Sequence, residues 1–289
     1  MILLDGGLST VLEQQGADLG SALWTARLLA EEPERIASAH RAYFAAGAHV
    51  ATTASYQASV PGYVAAGFSK PEALVGDSVR IARDVRDEFG GDRLVAASVG
   101  PYGAYLADGS EYRGNYGVDA VALRDFHAPR MELLAAAGPD LFAVETVPDV
   151  REAAVLARLL DEFGLPAWFS YSIRGDRTAA GQPLTEAYGV LAGCGVLVAA
   201  GVNCSEPSDV PAALAISVAV TGLPGIAYPN GGGLWDAEAK QWRQSDAWRA
   251  ELAIPGSKRV RSGSVAAAAL VPSRSPNWPR IWSFKPTVP

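Results

Sequence analysis

The run Gly201-Val202-Asn203-Cys204 closes the apolar stretch Val196–Val202 and hands over to the polar segment Ser205-Glu206-Pro207-Ser208-Asp209. A cysteine placed where an apolar strand meets a loop is offered to a site, and its thiolate is a soft ligand for a metal ion. Cys204 is therefore the first candidate for chemistry. Other reactive or polar groups stand at similar junctions: Asp5 and Gly6 after Ile2–Leu4, Thr53 with Ser55 and Tyr56 after Val50, and Glu145-Thr146 after Leu141–Val144. Asn203 precedes the cysteine, and Asn230 lies in Tyr228-Pro229-Asn230-Gly231.

Such junctions work together only if the elements before them run side by side. Short apolar runs read as strands at Ile2–Leu4, Val50–Thr53, Leu94–Ser98, Leu141–Val144, Ala167–Ser170, Val196–Val202 and Ile226–Tyr228. Between them, segments of helical period cover Ser9–Gln14, Pro33–Ala46, Pro71–Phe89, Asp119–Ala137, Val150–Phe163, Leu184–Leu191 and Ser208–Val220. Pro33 and Pro71 suit a helix start, and Ser208 and Asp209 suit an N-cap or first turn. Seven βα units, with room for an eighth near residues 255–270, predict an α/β fold, a (β/α)₈ TIM barrel. In such a barrel the strand ends meet on one rim, so two acids, two asparagines, a cysteine and several hydroxyls converge there. No Gly-x-Gly-x-x-Gly follows a strand, which removes support for a dinucleotide fold.

The 289 residues, 49% of them hydrophobic, suffice for a large core. A net charge of −7 and a pI near 5.1 argue against a nucleic-acid or anionic-membrane partner and favour a small-molecule ligand. Cys194 and Cys204 are the only cysteines, too few for a disulfide-stapled secreted fold. The amino terminus lacks a signal-peptide pattern and no apolar run is long enough for a membrane span, so a cytoplasmic protein is expected. His40, His49 and His127 lack metal spacing, and Cys194, ahead of its strand, reads as structural. Tyr56, Tyr102 and Trp235 read as packing residues, although a cationic ligand would favour an aromatic wall.

Taken in order, Asp5-Gly6-Gly7, Ser55-Tyr56-Gln57-Ala58-Ser59, Gly100-Pro101-Tyr102-Gly103-Ala104, Glu145-Thr146, Gly201-Val202-Asn203-Cys204 and Tyr228-Pro229-Asn230 resemble the homocysteine S-methyltransferases over roughly residues 1–250. The wording is most similar to the compact members that take S-methylmethionine or S-adenosylmethionine as donor. The resemblance implies a single homocysteine-binding barrel domain and methyl transfer to homocysteine, giving methionine. It also implies a zinc ion held by three cysteine thiolates, with Cys204 the first. Zinc removes the thiol proton of homocysteine, which at neutral pH is mostly in place. Asp5 and Glu145 are then expected at the substrate ammonium, with Gly6, Thr53, Asn203 and Asn230 as further substrate contacts.

The chain departs from that pattern near its end. The family's second and third zinc ligands are adjacent cysteines in a Gly-Gly-Cys-Cys run ending strand eight, and no cysteine follows Cys204. From about Ile254 the sequence turns basic and unpatterned, so residues 254–289 read as an aberrant tail with a disrupted eighth strand and last helix. Val265-Ala266-Ala267-Ala268-Ala269-Leu270-Val271 read one base earlier, with suitable third bases, encodes Gly-Gly-Cys-Cys-Arg-Val-Gly. A frame shift around residues 252–258 is therefore expected, and with it weak zinc binding and impaired transfer. The competing expectation is a non-catalytic barrel that keeps the amino-acid pocket and binds homocysteine or methionine. A barrel aldolase or lyase is disfavoured because no strand-end lysine could form a Schiff base.

Overall fold

Strands buried on both faces read as unbroken apolar runs, and six such runs form one parallel sheet here. The computed structural model describes residues 2–21, 23–230, 233–236 and 241–244. The sheet contains β1 (Val50–Thr52), β2 (Leu94–Val99), β3 (Leu141–Val147), β4 (Ala167–Tyr171), β5 (Leu197–Asn203) and β6 (Gly225–Tyr228). Neighbours in the sheet are neighbours in the chain, and every pairing is parallel. Leu4 adds a parallel bridge to Val50, which puts the Ile2–Leu4 run beside β1. The result is a curled, helix-covered arc of the expected α/β kind. The eighth strand and the 254–289 tail fall outside the described residues.

The helices are α1 (Leu8–Gln14), α2 (Thr25–Glu31), α3 (Pro33–Ala45), α4 (Val60–Ala65), α5 (Pro71–Phe89), α6 (Tyr102–Leu106), α7 (Ala120–Ala136), α8 (Val150–Phe163), α9 (Leu184–Leu191) and α10 (Val210–Thr221). All seven expected helices occur. The unforeseen α2, α4 and α6 have only five to seven residues, too short for a periodic signal. Asp119 and Asp149 cap α7 and α8 through side-chain bonds from Ala122 N and Arg151 N, both 2.9 Å. Asp209 occupies the N-cap position of α10 (Val210–Thr221), but its carboxylate accepts from Gly175 N at 2.8 Å rather than from the helix.

Alternation along the strands divides the core in two. Leu94 and Ala96 of β2 join Leu4, Ala143, Trp168 and Ile226 on one face, while Val95, Ala97 and Val99 pack with the helices. Gly201 of β5 faces Ile226 of β6, and a Cβ built on it would lie 1.8 Å from the Ile226 carbonyl oxygen. Only glycine allows that approach. Among the described residues no helix is long and apolar enough to cross a membrane.

Candidate active site at the carboxyl ends of the strands

The ends of β3 and β5 are joined by one side chain. Asn203 accepts from Thr146 N at 2.7 Å and donates to Thr146 Oγ1 at 2.7 Å and to Cys204 Sγ at 3.3 Å. Thr146 and Cys204 both have positive φ, 61° and 45°, a region that costs a side-chain-bearing residue about 1–2 kcal/mol. The register of β3 against β4 also shifts between Val144 and Val147, and such an irregularity re-aims side chains. Cys204 N donates to Tyr228 O at 3.2 Å, which ties β6 to the same corner.

Glu145 and Asp5 are both buried. Ser98 Oγ donates to Glu145, the Tyr228 hydroxyl lies beside that carboxyl, and Trp168 Nε1 donates to Tyr228 Oη at 2.9 Å. Burial pushes the Glu145 carboxyl up to about 7 against the pull of those two hydroxyls. Asp5 accepts from Thr52 N at 2.7 Å and from Thr52 Oγ1 at 2.9 Å. Burial, with a smaller contribution from the Glu145 charge, raises it to about 8. Thr53 Oγ1 accepts from Ser98 N at 3.0 Å and lies 2.7 Å from Ser55 Oγ, which itself donates to Ser98 O. The Thr53 hydroxyl therefore donates to Ser55 and braces the ends of β1 and β2.

Thr146 and Tyr112 stand beside Cys204, whose thiol accepts from Asn203. Burial pushes that thiol up to about 12, and the charges of Glu145 and Glu111 act in the same direction. A thiolate needs a compensating positive charge there. The sequence supplies only one other thiol, Cys194, whose Sγ faces Ala157 O and Asp161 at 3.5 and 3.4 Å. The whole of β5 separates the two sulfurs, roughly 20 Å by strand rise. Among the described residues no group of three His, Cys, Asp or Glu side chains could hold a metal ion. The three-thiolate zinc site that the resemblance implies does not fit this chain.

Gly6 follows Asp5 at the rim and is half-buried. Asn230 N donates to Ser205 O at 3.1 Å, linking the segments after β5 and β6. Sequence reasoning thus brings Asp5, Thr53, Glu145, Asn203 and Cys204 to one corner, with Asn203 and Thr53 bonded to protein groups. It passed over Ser98, Tyr228, Tyr112 and Glu111 as site residues. Ser98 was legible as the one hydroxyl in an otherwise apolar β2, whereas Glu111 and Tyr112 sit in a turn with no periodic signal.

The corner is braced from behind by α7 and α8. Arg130, 2% exposed, donates to Gly100 O at 3.0 Å and to Ser55 O and Tyr56 O at 3.1 Å. This guanidinium holds the segments after β1 and β2 together. Glu152 accepts from Tyr102 N at 2.6 Å and from the Tyr116 hydroxyl at 2.9 Å, and lies 2.9 Å from His127 Nε2. His127 is fully buried in this network. Tyr56 stands near the Cys204 thiol, while Tyr102 packs on Tyr105, Tyr116 and Phe126.

Comparison with known proteins places this arrangement among its relatives. A family model described as homocysteine S-methyltransferase matches residues 2–257. The homocysteine S-methyltransferase of Escherichia coli is 44% identical over 263 residues, covering 88% of this chain and 85% of that protein. The homocysteine S-methyltransferase YbgG of Bacillus subtilis is 44% identical over 255 residues, covering 84% and 81% respectively. The crystal structure of the homocysteine methyltransferase MmuM from E. coli, in metallated form, superposes with a TM-score of 0.77 at 44% identity. That match covers 83% of this chain and 87% of the other.

Proposed function

Because the chain belongs to the homocysteine S-methyltransferase family, we propose that it binds homocysteine at the Asp5–Glu145–Cys204 corner for methyl transfer that yields methionine. The donor is a methylsulfonium compound, S-methylmethionine or S-adenosylmethionine. The observation that carries the reading is Glu145: a buried carboxyl, already oriented by Ser98, at the strand-end corner that also presents Cys204. An ammonium brought to Glu145 favours its ionised form and makes charge-assisted hydrogen bonds in a shielded site. Asp5 lies nearby with its carboxyl raised to about 8, and an ammonium brought to the corner favours its ionised form as well, while Asn203 fixes the backbone from which Glu145 and Cys204 project. Gly6, Thr53 and Asn230 complete the substrate side of the rim.

Alignment of the homocysteine sulfur with the donor methyl is the remaining requirement, since a sulfonium already carries a good neutral leaving group. Cys204 is a zinc ligand by descent, but one thiolate does not make the closed site that three make. Transfer by this chain is therefore impaired. The same observation favours a second reading, a barrel that binds homocysteine or methionine without turning it over. We further propose one domain spanning 1–289, in which 254–289 departs from the family, acting on small molecules in the cytoplasm. The family match ends at residue 257, inside the 252–258 window where the reading frame is expected to shift.

Calorimetry with homocysteine, with and without zinc, separates the readings. Metal-independent binding without methionine formation supports the binding barrel; methionine formation from S-methylmethionine, S-adenosylmethionine or betaine supports the enzyme and identifies the donor. Absence of homocysteine binding under both conditions overturns both.

A further inference from the structure

Glu111 belongs to the 3₁₀ turn Ser110–Tyr112, between α6 and α7. Its Oε2 is shielded from solvent and has no hydrogen-bond partner among the described residues. The backbone beneath it is firmly held. Ser172 Oγ donates to Glu111 O at 2.9 Å, and a Cβ on Gly103 would come within 2.4 Å of Glu111 N. The side chain of Tyr112, the next residue, lies beside the Cys204 thiol, and the Glu111 charge acts on Tyr56, Tyr112 and Cys204 alike. Burial raises the Glu111 carboxyl to about 7.

Three carboxyls thus bear on one corner, and they differ in what they lack. Both oxygens of Asp5 are engaged by Thr52, and Glu145 has Ser98 as donor with the Tyr228 hydroxyl beside it. Glu111 keeps a shielded acceptor with no donor, a situation that costs energy until a ligand supplies an N–H. Methyl transfer to homocysteine puts two ligands at this corner, and Glu145 with Asp5 accounts for the ammonium of only one.

We propose that Glu111 receives the α-ammonium of the sulfonium methyl donor and so selects a donor with a free ammonium over one without it. The inference rests on the homocysteine reading above. A quaternary ammonium presents methyl groups and no N–H, so it leaves Oε2 unsatisfied; S-methylmethionine and S-adenosylmethionine each carry a free ammonium. Tyr56 and Tyr112 then lie beside the sulfonium end, where aromatic faces and hydroxyl oxygens are compatible with a soft cation.

The test is titration calorimetry on the full chain without added metal. The probes are S-methylmethionine, its deamino analogue, glycine betaine and homocysteine. The unaltered chain is expected to bind S-methylmethionine about 10- to 100-fold more tightly than the deamino analogue or betaine. Glu111→Gln is expected to abolish that preference and leave homocysteine affinity unchanged. Lack of preference in the unaltered chain overturns the proposal even if the variant fails to fold. So does a Gln variant that keeps the preference, or one that loses homocysteine to the same extent. A chain that discriminates among donors but does not bind homocysteine contradicts the function reading and leaves the Glu111 assignment standing.

Discussion

Asn203 holds Thr146 by its backbone and its hydroxyl at once, 2.7 Å at each contact, and so fixes the end of β3 from the end of β5. Both residues flanking this link, Thr146 and Cys204, have left-handed backbone conformations. Asn203→Ala leaves a buried Thr146 N–H without an acceptor and releases both conformations. A loss of about 2–4 kcal/mol in urea unfolding is expected, with weakened homocysteine binding. An unfolding midpoint equal to that of the unaltered chain would falsify the bracing role.

Glu145→Gln keeps the shape of the side chain and removes its charge. Homocysteine affinity is expected to fall about 10- to 100-fold in calorimetry, because a charge-assisted contact to the ammonium becomes a neutral one. A change below about twofold means that the ammonium sits elsewhere.

Stability has opposing limbs in pH. Asp5 titrates at about 8 in the folded chain against 3.8 ordinarily, so the folded state keeps a proton that the unfolded state sheds. Its stabilising share is complete below about pH 4 and is lost as pH rises through 8. Asp5→Asn is expected to flatten that decline by about 1 kcal/mol per pH unit. His40 runs the other way: burial lowers it to about 4 from 6.5, so its share is complete above 6.5 and lost as pH falls through 4. His40→Leu is expected to flatten the acid limb only. Denaturation curves between pH 4 and 9 read both, and an Asp5→Asn curve parallel to the original would refute the first.

Arg130→Met strands the buried carbonyls of Ser55 and Gly100 and the half-buried one of Tyr56, while preserving much of the side-chain volume. A cost of about 3 kcal/mol or more is expected in chemical denaturation. A loss under about 1 kcal/mol would mean that packing alone holds the segments after β1 and β2.

Zinc analysis after equilibration with the metal and desalting is expected to give far less than one ion per chain, since one thiolate cannot replace three. Zinc near one per chain together with normal turnover contradicts the impairment. Sequencing the gene is independent of the protein: absence of adjacent cysteine codons one base out of register beneath Ala267 and Ala268 removes the frame-shift explanation.

Strand and helix order was legible because each element is two-sided or amphipathic, and burial imprints a period on composition. Leu94–Val99 alternates between two apolar layers, so its whole length reads as strand. The rim positions of Glu145 and Cys204 followed from the same logic, since a polar residue ending an apolar run faces a loop. The roles of Asn203 and Thr53 as braces were not legible. A side-chain amide looks the same whether it holds a ligand or the backbone 57 positions away, and only geometry separates the two. Glu111 left no trace in periodicity, because a turn buries one carboxylate oxygen through contacts distant in sequence.

Gly201 gives the corner an unexpected point of control. It lies a full pleat below Asn203, touches no ligand group, and acts solely through the hydrogen atom it carries where other residues carry carbon. That vacancy sets the spacing of two strands, and with it the reach of the Tyr228 hydroxyl toward Glu145. An alanine there acts as a wedge driven between β5 and β6, detuning the carboxyl from beneath without altering any group that substrate would meet.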